Sequence, residues 1–154
     1  SFKNINIGDV PLYNQDLDGS QPNSVKKLKD DIASCNALLF VTPEYNHSFP
    51  GTLKRMLDSE LQHYIHKPVA FAGVSDGIFG GARAIESLVN TVRELGLSAT
   101  FADVYFPEVQ KLFDEKGTLL DEAYIRRIER GYAELIWMAK ALKWGRDNLG
   151  GIYH

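Results

Sequence analysis

Short apolar stretches alternate along the chain with segments whose apolar residues recur at helical spacing, and this alternation restricts the fold more than any other feature. Residues 2–7 (FKNINI) read as a short strand closed by Gly8-Asp9. Residues 37–41 (ALLFV) and 68–74 (PVAFAGV) are unbroken apolar runs, the pattern of strands buried on both faces. A last strand is expected over 99–106, ended by Pro107. Between them the spacing predicts a helix from Val25 to Ser34, started by Asn23 or Ser24, with Val25, Leu28 and Ile32 on one side. Further helices are expected over 51–61, over 82–95 with Gly96 as its stop, and from Asp121 as cap to about Trp144. Residues 10–22 read as a loop, and FDEKGTLL at 113–120 as a hairpin-like excursion. Strand and helix in regular turn argue for an α/β fold, a parallel sheet with helices on both faces in three layers. In such sheets ligands bind beyond the carboxyl ends of the strands.

The 154 residues make one domain, expected over 1–144, with a weakly ordered tail at 145–154. Hydrophobic residues are 44% and charged residues 24%, enough for a core without staples. A net charge of −3 offers no field for nucleic acid or an anionic membrane, and no apolar run approaches the roughly 20 residues that span a bilayer. The single cysteine, Cys35, excludes an intrachain disulfide and suits a reducing cytoplasm; it reads as a small core residue. His47, His63, His66 and His154 have no spacing that closes a ligand set, so no metal is expected. Trp137, Trp144 and Tyr132 on the last helix read as core or subunit-contact residues, and Lys26, Lys27 and Lys29 as a solvated helix face.

Two loops follow the two apolar strands. The first, Thr42-Pro43-Glu44-Tyr45-Asn46-His47-Ser48-Phe49-Pro50-Gly51, starts where Pro43 ends the strand sharply. Tyr45 offers an aromatic face, and backbone N–H groups outside any ladder can point at a ligand. A flat heteroaromatic with carbonyls and ring nitrogens would match it; a plain strand–helix connector is the equal alternative on residue chemistry alone. Glu44, a lone carboxylate, makes a thin general base. The second loop, Ser75-Asp76-Gly77-Ile78-Phe79-Gly80-Gly81, leads into a helix N-terminus, where free N–H groups and the dipole favour an electron-rich partner. It lacks the first turn glycine of a dinucleotide-binding fingerprint.

The stretches Val41-Thr42-Pro43-Glu44-Tyr45-Asn46, Pro50-Gly51-x-Leu53-Lys54, Lys67-Pro68-Val69-Ala70, Gly80-Gly81-Ala82-Arg83 and Leu95-Gly96 resemble, in order, the signature of the NADPH-dependent FMN reductase family. Upstream, Leu12-Tyr13-Asn14-x-Asp16-Leu17 is similar too, as is Phe113-Asp114-Glu115-x-Gly117-x-Leu119-x-Asp121-Glu122. The resemblance spans roughly residues 2–138. It implies a flavodoxin-like doubly wound sheet and an FMN-dependent oxidoreductase. Such an enzyme takes electrons from NADPH or NADH and passes them, ping-pong, to a small-molecule electron acceptor such as a quinone, azo compound, chromate or free flavin. It implies that Pro43, Glu44, Tyr45 and Asn46 hold the isoalloxazine ring and that Ser75, Gly77, Gly80 and Gly81 flank it. No side chain is assigned as a catalytic acid or base, because hydride passes directly between nicotinamide and flavin. A homodimer or homotetramer is implied, with Arg83 at an oligomer contact, on the substrate side, or simply at the surface.

Members of that family begin with a further strand, a phosphate-cradling loop and a helix, and nothing here matches these. In the 2-1-3-4-5 strand order, the unmatched strand would lie inside the sheet. The expectation is a fragment, a strand supplied by a partner, or a shortened relative. The alternative function is accordingly a non-catalytic electron carrier or a flavin-free relative.

Overall fold

The structure, a computed structural model, describes residues 1–9 and 23–149. The expected loop at 10–22, with its Leu12–Leu17 motif, and the end of the tail lie outside them. The helices are α1 (Asn23–Ser34), α2 (Gly51–Asp58), α3 (Ala82–Glu94) and α4 (Glu122–Asn148); the strands are β1 (Leu38–Pro43), β2 (Pro68–Val74), β3 (Ser98–Ala99) and β4 (Val104–Phe106). All strand pairs are parallel, and β2 joins all the others: β1 on one edge, β3 and β4 in succession on the other.

Period-two alternation divides the sheet residues between two faces. Phe40, Val69 and Phe71 share one core with Leu28 and Ile32 of α1, Leu53, Met56 and Leu57 of α2, and Ile85, Leu88 and Val92 of α3. The opposite face carries Leu39, Val41, Ala70, Ala72 and Val104, and α4 packs there over β2 and β4. The parallel α/β architecture read from the alternation is thus present, with helices on both faces.

Three expectations about the strands change. Residues 2–7 form no strand; Ile7–Asp9 is a 3-10 turn. A strand requires a ladder, and among the described residues β1 pairs only with β2. Ile5 and Ile7 still pack on the core, and Phe2 lies 5.3 Å from the Tyr132 ring. Second, β1 is not buried on both faces: Phe40 and Thr42 are buried while Val41 is 59% exposed. Its outer face lies beyond the cover of α4, whereas β2, flanked on both edges, is buried along almost its whole length. Third, the strand expected at 99–106 is broken. Val69 pairs with Ala99 and Ala72 with Val104, so three steps on β2 face five on the other chain segment. The two extra residues bulge outward and carry Phe101 into solvent.

Helix ends follow their sequence signals in part: α1 already includes Asn23 and Ser24, and α2 stops at Asp58 rather than at 61. Asp121 accepts a hydrogen bond from the Ala123 N–H at 2.8 Å, the side-chain cap expected there. At the end of α1 the buried Lys67 ammonium donates to the carbonyls of Ile32 (2.5 Å) and Ala33 (3.2 Å), and burial holds its pKa down. Beyond Trp144, α4 continues to Asn148, and Arg146 donates to the His66 carbonyl and to Asn36. Trp137 and Trp144 are 68% and 60% exposed, so neither is a core residue. Cys35 is half-buried at the end of α1, where its thiol donates to the Ile32 carbonyl, rather than within the core. Lys27 and Lys29 are not merely solvated: Lys27 pairs with Asp31 at 2.8 Å and Lys29 lies 3.8 Å from Glu60.

Candidate active site

Parallel pairing of β1 with β2 brings Pro43 opposite Val74, so the first and second loops leave the sheet side by side at its carboxyl edge. In the first loop, Tyr45 and Ser48 exchange backbone hydrogen bonds at 2.8 and 3.1 Å. The two residues between them, Asn46 and His47, both have positive φ, 51° and 67°. Two left-handed residues in a two-residue turn make a type I′ hairpin tip, for which asparagine is well suited. Since the turn uses only Tyr45 and Ser48, the N–H groups of Asn46 and His47 stay outside its ladder. Tyr45 is 61% exposed.

The second loop is held from below. The Ser75 N–H donates to the Phe106 carbonyl, and the N–H groups of Val109 and Glu108 donate to the carbonyls of Ser75 and Gly77. The Ser75 hydroxyl accepts from the Gly77 N–H at 3.0 Å. Gly80 and Gly81 have φ of 59° and 84° and are buried. A Cβ on Gly81 would stand 2.9 Å from the Gly73 Cα and the Val74 nitrogen, and one on Gly80 would stand 2.9 Å from the Pro107 nitrogen. These two glycines therefore press against the protein's own backbone and fix the path into α3. Ile78 and Phe79, at the loop's tip, are exposed.

One side chain spans the loops. Arg83, in the first turn of α3, donates through Nε to Oε1 of Glu44 at 2.6 Å, and its Nη2 lies 2.5 Å from the same oxygen as an ion pair. The Glu44 carboxylate is 7% exposed, and its Oε2 is buried with no partner among the described residues. Buried carboxylate oxygens are nearly always hydrogen-bonded, so this is an acceptor that the described residues do not consume. Nearby on β4, the Tyr105 hydroxyl donates to Asp103 at 3.0 Å. Burial, then the Asp103 charge, pushes Tyr105 up to about 12, so it stays a donor at neutral pH.

All eight residues expected at a ring site lie on this edge: Pro43, Glu44, Tyr45 and Asn46 on one loop, Ser75, Gly77, Gly80 and Gly81 on the other. Gly80 and Gly81 differ from the rest in facing inward. Residue chemistry did not single out His47, whose Nε2 lies 3.0 Å from Nη1 of Arg83 on α3. His63 lies 3.0 Å from Glu60, away from this edge. Among the described residues no three His, Cys, Asp or Glu gather as a metal site would need.

A family model described as NADPH-dependent FMN reductase matches residues 1–110. The chain belongs to the NADPH-dependent FMN reductase family. A quinone reductase of Pseudomonas putida is 35% identical over 129 residues, 79% of this chain and 69% of that protein. An NAD(P)H-dependent FMN reductase of Pseudomonas aeruginosa is 34% identical over 147 residues, 91% of this chain and 80% of that one. Among solved structures, FerB, a flavoenzyme NAD(P)H:(acceptor) oxidoreductase from Paracoccus denitrificans, superimposes with a TM-score of 0.76 at 33% identity, over 87% of this chain and 78% of FerB. This FMN reductase chain is therefore an oxidoreductase of flavodoxin-like fold, with FMN as cofactor and NAD(P)H as electron donor. The residues present fit a flavin ring: an unused buried acceptor on Glu44, N–H groups outside the ladder at Asn46 and His47, and an exposed aromatic at Tyr45. Among the described residues no helix is long and apolar enough to cross a membrane.

Proposed function

We propose that the two loops hold the isoalloxazine ring of FMN at the carboxyl edge of β1 and β2, and that the protein reduces a quinone or similar small acceptor in a ping-pong cycle. The observation that carries this reading is the adjacency of the loops, in register at Pro43 and Val74 and tied by Glu44 and Arg83. Bound FMN supplies a ring able to accept and return a hydride. Pro43 and Gly77 shape the rims, Tyr45 lends an aromatic surface, and the Asn46 N–H and Glu44 Oε2 offer a donor and an acceptor. Ser75 stiffens the second loop through its bond to Gly77, and Gly80 and Gly81 set its path. The exposed side chains at the loop tips, Tyr45, Ile78 and Phe79, suit a planar organic acceptor that follows the nicotinamide to the same opening. Such a site needs no side-chain acid, since a quinone can take its protons from water. The same reading places the protein in the cytoplasm as a homodimer or homotetramer, a state that light scattering reads directly.

Purified protein supplied with FMN is expected to turn yellow, to bleach when NADPH is added without oxygen, and to recover its colour when a quinone follows. A protein that stays colourless with added FMN, or whose colour NADPH and NADH leave untouched, would contradict the proposal.

A further inference from the structure

Arg83 makes contacts that neither packing nor solubility requires. Its guanidinium holds Glu44 Oε1 through an Nε donor and an Nη2 ion-pair contact, sets Nη1 3.0 Å from His47 Nε2, and puts Cζ 4.6 Å from the centre of the Phe79 ring. Glu44 and His47 belong to the first loop and Phe79 to the second. The guanidinium uses its edge on one loop and its face on the other, a division that planar arginine allows and the ammonium of lysine does not. We propose that Arg83 is a positioning residue that sets the spacing between the two loops and so the width of the slot for the flavin ring. The inference rests on the ring site proposed above.

The direction of Arg83 is fixed before its side chain begins, because Gly80 and Gly81 press on Pro107 and on Gly73 and Val74 and so anchor the start of α3. On the other side, Glu44 is 7% exposed and Arg83 41% exposed. Without the guanidinium, a nearly buried carboxylate loses its partner on Oε1 while Oε2 already has none, so the first loop must move to hydrate it. His47 adds to this contact: a guanidinium only donates, and the Nε2 atom 3.0 Å from Nη1 can accept from it.

The test compares wild type with Arg83→Gln, Arg83→Lys, Glu44→Gln, the Arg83→Gln/Glu44→Gln double variant and His47→Gln. Binding of FMN and of riboflavin, which carries the same ring without the phosphate, is read by flavin fluorescence. Both arginine variants are expected to weaken riboflavin and FMN alike, by about tenfold, the scale of a lost charge-assisted hydrogen bond. Glu44→Gln should add little on top of Arg83→Gln, since the two act as a unit. His47→Gln, whose amide oxygen can still accept from Nη1, should bind both flavins nearly as wild type does. Wild-type affinity in Arg83→Gln would overturn the clasp. Should wild type itself bind no flavin, the ring site fails, and the clasp is judged in the free protein. There Arg83→Gln is expected to speed amide exchange about tenfold at Tyr45 and Ser48, whose N–H groups close the first loop's turn, and at Ala82, which donates to the Phe79 carbonyl, and unchanged exchange would overturn it.

Discussion

Gly73→Ala is expected to destabilise the protein by about 3 kcal/mol or more, the upper range for forcing an atom into packed structure. Gly73 lies in β2, one residue before Val74, and a Cβ there would stand 2.4 Å from the Gly80 carbonyl oxygen and 3.2 Å from the Gly81 carbonyl carbon. Both are backbone atoms of the second loop, whose path is itself fixed by the positive φ of Gly80 and Gly81. The Ile85 methyl, 3.1 Å away, can turn aside, but these backbone atoms cannot, so either β2 or the loop must shift. Thermal denaturation should show the midpoint lowered by about 6–12 °C, taking about 2–4 °C per kcal/mol for a chain of this size. FMN binding should be lost in the same variant, because the second loop cannot keep its place. The control is Gly77→Ala in the same loop: its nearest neighbour is the Ser75 hydroxyl at 3.5 Å and its φ is not positive. That change should cost no more than about 0.5 kcal/mol of stability. Equal midpoints for the two variants would mean that strand and loop do not share the close approach described.

Phe71→Ala should be comparably damaging for a different reason. Phe71 is 1% exposed at the middle of β2, with the Phe40 ring 6.3 Å away and the residues of α1, α2 and α3 sharing its cluster. Removing a buried phenyl ring typically costs about 3–5 kcal/mol, the lost transfer energy plus the cavity left behind. Denaturant titration should show the midpoint falling with the slope unchanged. Phe101→Ala removes the same atoms from a residue 77% exposed on the bulge, and should be close to neutral. The contrast tests whether the core lies on the α1–α3 face of the sheet.

Much of this was readable in the chain because periodicity and end signals are local. The run at 68–74 gave a strand with those bounds, and Asp121 capped the helix that follows it. The break between β3 and β4 was not readable, since it arises from register against β2 and leaves no local mark between Ala99 and Val104. Residues 2–7 have a strand's composition but no ladder, and composition cannot supply a partner. Trp137 and Trp144 have core-like chemistry, yet their exposure depends on what lies against α4. In the site, both loops were legible as strand-to-helix connections rich in turn residues. The inward facing of Gly80 and Gly81 was not, because it depends on Gly73 and Pro107, and neither was the part of His47, which depends on Arg83.

Backbone amide chemical shifts of the labelled protein, followed as FMN is added, address the ring site most directly. The largest changes are expected at Glu44, Tyr45, Asn46 and His47 together with Ser75 and Gly77, while amides in the middle of α4 stay in place. Saturating FMN that moved neither loop, or moved only one of them, would contradict the placement of the ring between the two loops.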